Sequence, residues 1–138
     1  MQYVSTRGEA PVLGFSDAVL AGLARDGGLY VPQQWPHFSA ADIRAMRGLP
    51  YADVAIRVLT PFLGGQIPTN VFERLVREAY ATFRHDAVCP LVQIGPNRFV
   101  LELFHGPTLA FKDVAMQLLA RLIDYILAER GERATIVG

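Results

Sequence analysis

The sequence predicts an α/β protein: a helix-rich N-terminal portion to about residue 85, then the start of a sheet. Three observations carry this. An apolar repeat of helical period runs over 111–129. Two runs rich in β-branched and aromatic residues, 91–94 and 99–104, flank the turn signal Gly95-Pro96-Asn97. The apolar run from Ala134 to Gly138 follows the helical repeat as a buried strand does in a βαβ unit, where parallel pairing needs a helical crossover. In open sheets of this kind ligands sit at the carboxyl ends of the strands.

The elements follow in order. Residues 2–5 suit a short strand. Ser16 is a candidate N-cap for an apolar helix over 18–23. Asp26-Gly27-Gly28 is a turn, and Leu29 to Pro32 is extended and closed by proline. Residues 32–38 read as a loop. Ser39 caps a short helix whose apolar contacts are Ile43 and Met46, ended by Gly48 and Pro50. Tyr51 to Phe62 is helical by period and stops at Gly64-Gly65. Pro68 and Thr69 open the next helix, with an apolar stripe of Val71, Phe72, Leu75, Val76, Ala79 and Tyr80. Cys89-Pro90 breaks the pattern ahead of an expected β-hairpin. The helix over 111–129 sets Phe111, Val114, Ala115, Leu118, Leu122 and Ile126 on one side and Asp113, Gln117, Arg121 and Asp124 on the other. Gly131 suits its C′ position. No internal repeat or low-complexity segment is present.

With 51% hydrophobic and 19% charged residues, the 138-residue chain can build a core. Thirteen acidic residues balance thirteen basic ones without a basic run, which argues against nucleic-acid or membrane-surface binding. The longest apolar runs are interrupted by Arg121 and Asp124, the first residues contain no apolar signal core, and a cytoplasmic protein is the expectation. The single cysteine, Cys89, allows no internal disulfide and reads as a small core residue. No Cys/His spacing suggests a metal site.

The chemistry centres on Lys112, the only lysine in the chain; every other basic residue is an arginine. A guanidinium stays charged and is a poor nucleophile, whereas a lysine amine can attack a carbonyl. Lys112 opens the 111–129 helix beside its apolar stripe. The helix N-terminus and partial burial both favour a neutral amine there, and Asp113 acts the other way. The alternative is a lysine that snorkels from the helix start. Ahead of it, Gly106-Pro107-Thr108 makes a tight strand-to-helix connection in which glycine allows close approach, and Thr108 is a candidate N-cap. His105 is either an acid, base or ligand contact, or a satisfied structural histidine. Ser5, Thr6 and Arg7 either touch an anion or simply finish a strand.

The run Glu102-Leu-Phe-His-Gly-Pro-Thr-Leu-Ala-Phe-Lys-Asp113 resembles the cofactor-lysine segment of the threonine synthase family. Tyr3 to Gly8 resembles that family's opening strand, and Gly22 to Pro32 its first helix-to-turn segment, so the resemblance runs in order through the whole chain. It implies the tryptophan-synthase-β-like (fold type II) architecture, with pyridoxal 5'-phosphate as cofactor held by Lys112 as the catalytic residue. The implied reaction converts O-phosphohomoserine and water into threonine and phosphate. Phe111 and Asp113 then become cofactor contacts, and His105 and Thr108 substrate contacts. The family's Gly/Ser/Thr-rich phosphate-binding loop is expected after the strand at Ala134 to Gly138. The chain therefore reads as the N-terminal part of a larger enzyme, 1–85 mainly helical and 86–138 holding the hairpin, the lysine helix and the first core strand, inactive by itself and prone to self-association. Two other readings stand beside this one: a different fold-type-II enzyme, such as a dehydratase or β-replacement enzyme, and a non-catalytic interaction module.

Overall fold

The computed structural model describes residues 1–135. Five α-helices and four short strands make up the described elements: β1 (Tyr3–Ser5), α1 (Phe15–Ala21), β2 (Tyr30–Pro32), α2 (Ala40–Ala45), α3 (Tyr51–Leu59), α4 (Thr69–Tyr80), β3 (Leu91–Gly95), β4 (Arg98–Leu101) and α5 (Asp113–Arg130). The strands form two separate antiparallel pairs, β1 with β2 and β3 with β4. The strand expected at Ala134 to Gly138 falls mostly outside the described residues, and no parallel pair occurs among those described. The contacts divide the chain into two compact units, to both of which α3 and α4 contribute residues.

The first unit comprises Met1–Gly48 and Ile56–Phe72. Tyr3 pairs with Pro32 on one side and bridges Leu13 on the other, so three segments distant in sequence meet on one three-residue strand. Helix α1 begins after Gly14, not Ser16; Ser16 lies within the first turn and donates its N–H to the Gln66 side chain at 2.8 Å. A glutamine from another segment thus satisfies an end that the local sequence leaves open. Helix α2 is capped as expected. The Ser39 hydroxyl accepts from Asp42 N–H at 3.2 Å, and the Asp42 carboxylate accepts from Ser39 N–H at 2.8 Å, a reciprocal capping box. Its Ile43 is nevertheless exposed. A 3-10 turn over Thr60–Leu63 extends α3 and ends at Gly64, whose φ of 58° is left-handed.

Asp26 organises the turn of this unit. Its Oδ1 accepts from the Ser5 hydroxyl at 2.7 Å and Gly28 N–H at 2.9 Å; Oδ2 accepts from Glu9 and Ala10 N–H at 3.0 and 2.9 Å. Arg7 donates to the Asp26 carbonyl at 2.9 Å, and the Thr6 hydroxyl accepts from Leu29 N–H. Ser5, Thr6 and Arg7 are therefore structural in this turn. Partial burial pushes the Asp26 carboxyl up, but the bonds from Ser5, Gly28, Glu9 and Ala10 outweigh it and lower it from 3.8 to about 2. A carboxyl depressed in the folded state contributes stability that is complete above its unfolded value and is lost as pH falls through the folded one. Asp26→Asn puts an amide donor against the Glu9 or Ala10 N–H. We expect it to lower the Tm at neutral pH by several degrees, and to flatten the acid loss of stability between 3.8 and about 2. Thermal melts across that window check this; parallel wild-type and variant curves refute it.

The second unit comprises Leu49–Ala55 and the chain from Glu73 onward. The sheet here is the expected hairpin, with a bulge between Gln93 and Gly95 and Asn97 at φ 55° in the turn. β4 ends at Leu101 rather than Phe104, because after Glu102 N–H reaches Pro90 O the chain turns away, with His105 O accepting from Arg84 N–H. Both strands are exposed, and Leu91, Ile94, Phe99 and Leu101 stand in solvent. In α4 the stripe is as read: Leu75, Val76 and Ala79 are buried, as is Phe72 in the first unit. In α5 the buried positions are Leu118, Leu122 and Ile126, spaced by four, and Gly131 closes the helix at φ 64°. Asp113, assigned by its period to the outer side of this helix, is instead buried, and Phe111, assigned to the stripe, is exposed and precedes the helix. Cys89 is half-buried beside Tyr51 rather than a core residue, and burial raises its thiol.

Candidate active site

The segment from Glu102 to Asp113 is held at three points. Arg84 N–H donates to His105 O at 2.9 Å. The Tyr80 hydroxyl, at the end of α4, donates to Val114 O at 3.2 Å, fixing the start of α5. Tyr80 is itself set by an edge-on contact with Tyr51, ring centroids 4.8 Å apart, and burial raises both phenols. The third point lies within the loop. Thr108 donates both its N–H and its hydroxyl to Asp113 Oδ2, each at 2.8 Å, while Gln117 donates to Oδ1 at 3.3 Å.

Gly106 is buried where the loop folds back, and a Cβ there would collide with the Asp113 side chain. Glycine is required at this place by space. Leu109 then takes φ 62°, with its N–H on Gly106 O at 3.2 Å. A left-handed leucine is an uncommon, strained conformation that the surrounding bonds must hold. Burial pushes the Asp113 carboxyl up, but the bonds it accepts from Thr108 and Gln117 outweigh this and bring it below the ordinary carboxylate value.

Lys112 occupies the N-cap of α5 in helical conformation, φ −63° and ψ −22°, so Thr108 is not the cap. Its carbonyl accepts from Ala115 and Met116. Lys112 is exposed, not partly buried as its place beside the stripe suggested. Successive residues on a helix are about 100° apart, so burying Asp113 turns its neighbour outward. Among the described residues no acceptor engages the Lys112 amine. Phe111, 65% exposed, presents an apolar ring beside it in sequence.

His105 is partly buried, with Nε2 2.7 Å from Glu102 Oε2. Its ring stacks on Phe104 and tilts against His85 at 5.1 Å. A cleft of about 480 Å³ is lined by Tyr51, Arg77, Tyr80, Phe83, His85 and Asp86, among others. None of His105, Thr108, Phe111, Lys112 or Asp113 lines it. No group of three or more metal-binding side chains occurs among the described residues. The structure thus bonds Thr108 to Asp113 and sets Lys112 beside them at the start of α5, with His105 paired to Glu102 at the loop's entry. Gln117 and Tyr80, which hold this loop, were missed from the sequence. The spacing of Asp113 and Gln117 by four was a usable signal; that of Tyr80 and Val114 was not.

The geometry sits in a chain with clear relatives. Residues 2–80 match the family described as "Threonine synthase N terminus". The chain belongs to the threonine synthase N-terminus family. The lysine loop lies beyond that match, but similarity to threonine synthases covers it too. The threonine synthase of Pseudomonas aeruginosa is 56% identical over all of this chain, which corresponds to 29% of that protein. That of Methylobacillus glycogenes is 44% identical, again over all of this chain and 31% of its own length. A crystal structure of PLP-bound threonine synthase from Brucella melitensis superposes with a TM-score of 0.94 at 77% identity, covering 96% of this chain and 29% of that one. The chain therefore spans roughly 30% of the length of the threonine synthases it matches. Its fold is that of the N-terminal portion of the fold-type-II architecture, in agreement with the sequence resemblance. No helix among the described residues is long and apolar enough to cross a membrane.

Proposed function

We propose that this chain is the N-terminal part of a threonine synthase, acting on O-phosphohomoserine and water to give L-threonine and phosphate, with Lys112 as the residue that holds pyridoxal phosphate. The observation that carries the reading is the state of Lys112. The single lysine stands exposed at the first turn of α5 with no acceptor on its amine among the described residues, in a chain similar throughout to threonine synthases. An amine with no carboxylate partner fits a carbonyl-bearing cofactor, since no ion pair must be broken before it gives up its proton and attacks. Bound there, pyridoxal phosphate supplies an electron sink.

The chain's own residues supply the rest. Lys112 anchors the cofactor and, once released by substrate, carries protons on Nζ. Phe111 offers its ring to the cofactor. His105, oriented by Glu102, and the Thr108 hydroxyl are the candidate substrate contacts. Location in the cytoplasm, no role in binding nucleic acid, and self-association through the exposed faces of β3 and β4 belong to the same proposal. The test is borohydride reduction of the full-length protein with pyridoxal phosphate, followed by peptide mass mapping. The adduct is expected on Lys112; an adduct confined to any other lysine overturns the assignment.

A further inference from the structure

We propose that Asp113 is a positioning residue for Lys112, acting through the Gly106–Thr108 loop rather than by touching cofactor or substrate; this rests on Lys112 holding pyridoxal phosphate. The carboxylate is 3% exposed and committed on both oxygens, to Thr108 on one and Gln117 on the other. It has little left to offer a ligand. What it does is fold the strand-to-helix loop back onto the first turn of α5. Gly106 is the surface it rests on, and the left-handed Leu109 is the strain this closure stores. The residue immediately before Asp113 is Lys112. With its neighbour clamped, the direction in which Lys112 leaves the helix is set in advance, so the amine does not have to find its attack geometry. A positively charged partner for Asp113 is not needed: three donated bonds satisfy it.

Positioning differs from simple exposure. A small acylating reagent needs only a free amine, whereas capture of pyridoxal phosphate needs the amine in one direction. The experiment uses the full-length protein stripped of cofactor. Wild type, Gly106→Ala, Thr108→Val and Thr108→Ser are each treated with acetic anhydride, or with pyridoxal phosphate followed by borohydride, and Lys112 modification is timed by peptide mass mapping. Gly106→Ala drives a methyl group into Asp113; Thr108→Val removes one of its three donors; Thr108→Ser keeps that donor. Lys112 acetylation is expected at the wild-type rate throughout. Pyridoxal phosphate capture is expected to slow on the order of tenfold in Gly106→Ala and Thr108→Val and to be restored in Thr108→Ser. Capture at the wild-type rate in both slowed variants overturns the positioning role, as does acetylation that slows in step with capture. Absence of capture at Lys112 in the wild type overturns the proposed function itself. If Gly106→Ala does not fold, Thr108→Val decides, since it changes one hydroxyl on an exposed residue.

Discussion

Lys112→Arg in the full-length protein is expected to abolish phosphate release from O-phosphohomoserine while the fold stays intact. Arginine keeps the positive charge and much of the length, so a lysine needed only for charge is replaced with little loss. A guanidinium does not form the covalent bond to a carbonyl that an amine forms. Loss of a residue on which every step depends costs on the order of a thousandfold or more in turnover. The fold is expected to survive because Lys112 is exposed, its amine has no acceptor among the described residues, and its backbone is already helical. Two measurements are needed, turnover and the thermal midpoint. Activity within an order of magnitude of wild type refutes the catalytic assignment. A collapse of the midpoint shows instead that Lys112 holds the structure.

The largest effect on stability is expected at Phe72. It is 1% exposed, and with Val76 it is one of the largest fully buried side chains described. Removing a buried aromatic ring costs the transfer free energy of its carbons and leaves a cavity the helix cannot close. Phe72→Ala should therefore cost about 3–5 kcal/mol, a fall in Tm of roughly 10–20 °C for a chain of this size. Ile43 is the contrast. It was read as an apolar contact of α2, yet it is 59% exposed, so Ile43→Ala should change stability by no more than about 0.5 kcal/mol. Urea unfolding of the two variants separates them. Equal losses would mean that burial here does not govern stability.

The same two helices show how much was legible in the sequence. The stripe of α4 and the run Leu118, Leu122, Ile126 of α5 were read correctly, because the period of a helix is local and an apolar face records which side meets a core. The β3–β4 hairpin, the Ser39 cap and Gly131 were likewise legible, each resting on bonds within a few residues. The errors cluster where a polar group is satisfied by something else. Asp113 looked like a solvent-facing residue and is buried, because Thr108 and Gln117 neutralise the cost of burying it. Lys112 looked partly buried and is exposed as the geometric consequence. Ser16 looked like a cap and yields that place to Gly14, with Gln66 supplying the bond from fifty residues away.

What the sequence determined by itself is most of the described elements and the place of the lone lysine at a loop-to-helix junction: a periodic pattern, a turn signal and a single lysine in a specific run are all properties of neighbours. What only the tertiary structure decided is which distant groups complete one another. Asp26 gathers the turn formed by Ser5, Arg7, Glu9 and Ala10, β1 pairs with β2 across the intervening helix, and Tyr80 pins Val114. Local patterns are set by bonds and periods within a few residues. Satisfaction of a buried polar group depends on partners whose separation in the chain carries no signal, and so it is settled only when the chain has folded.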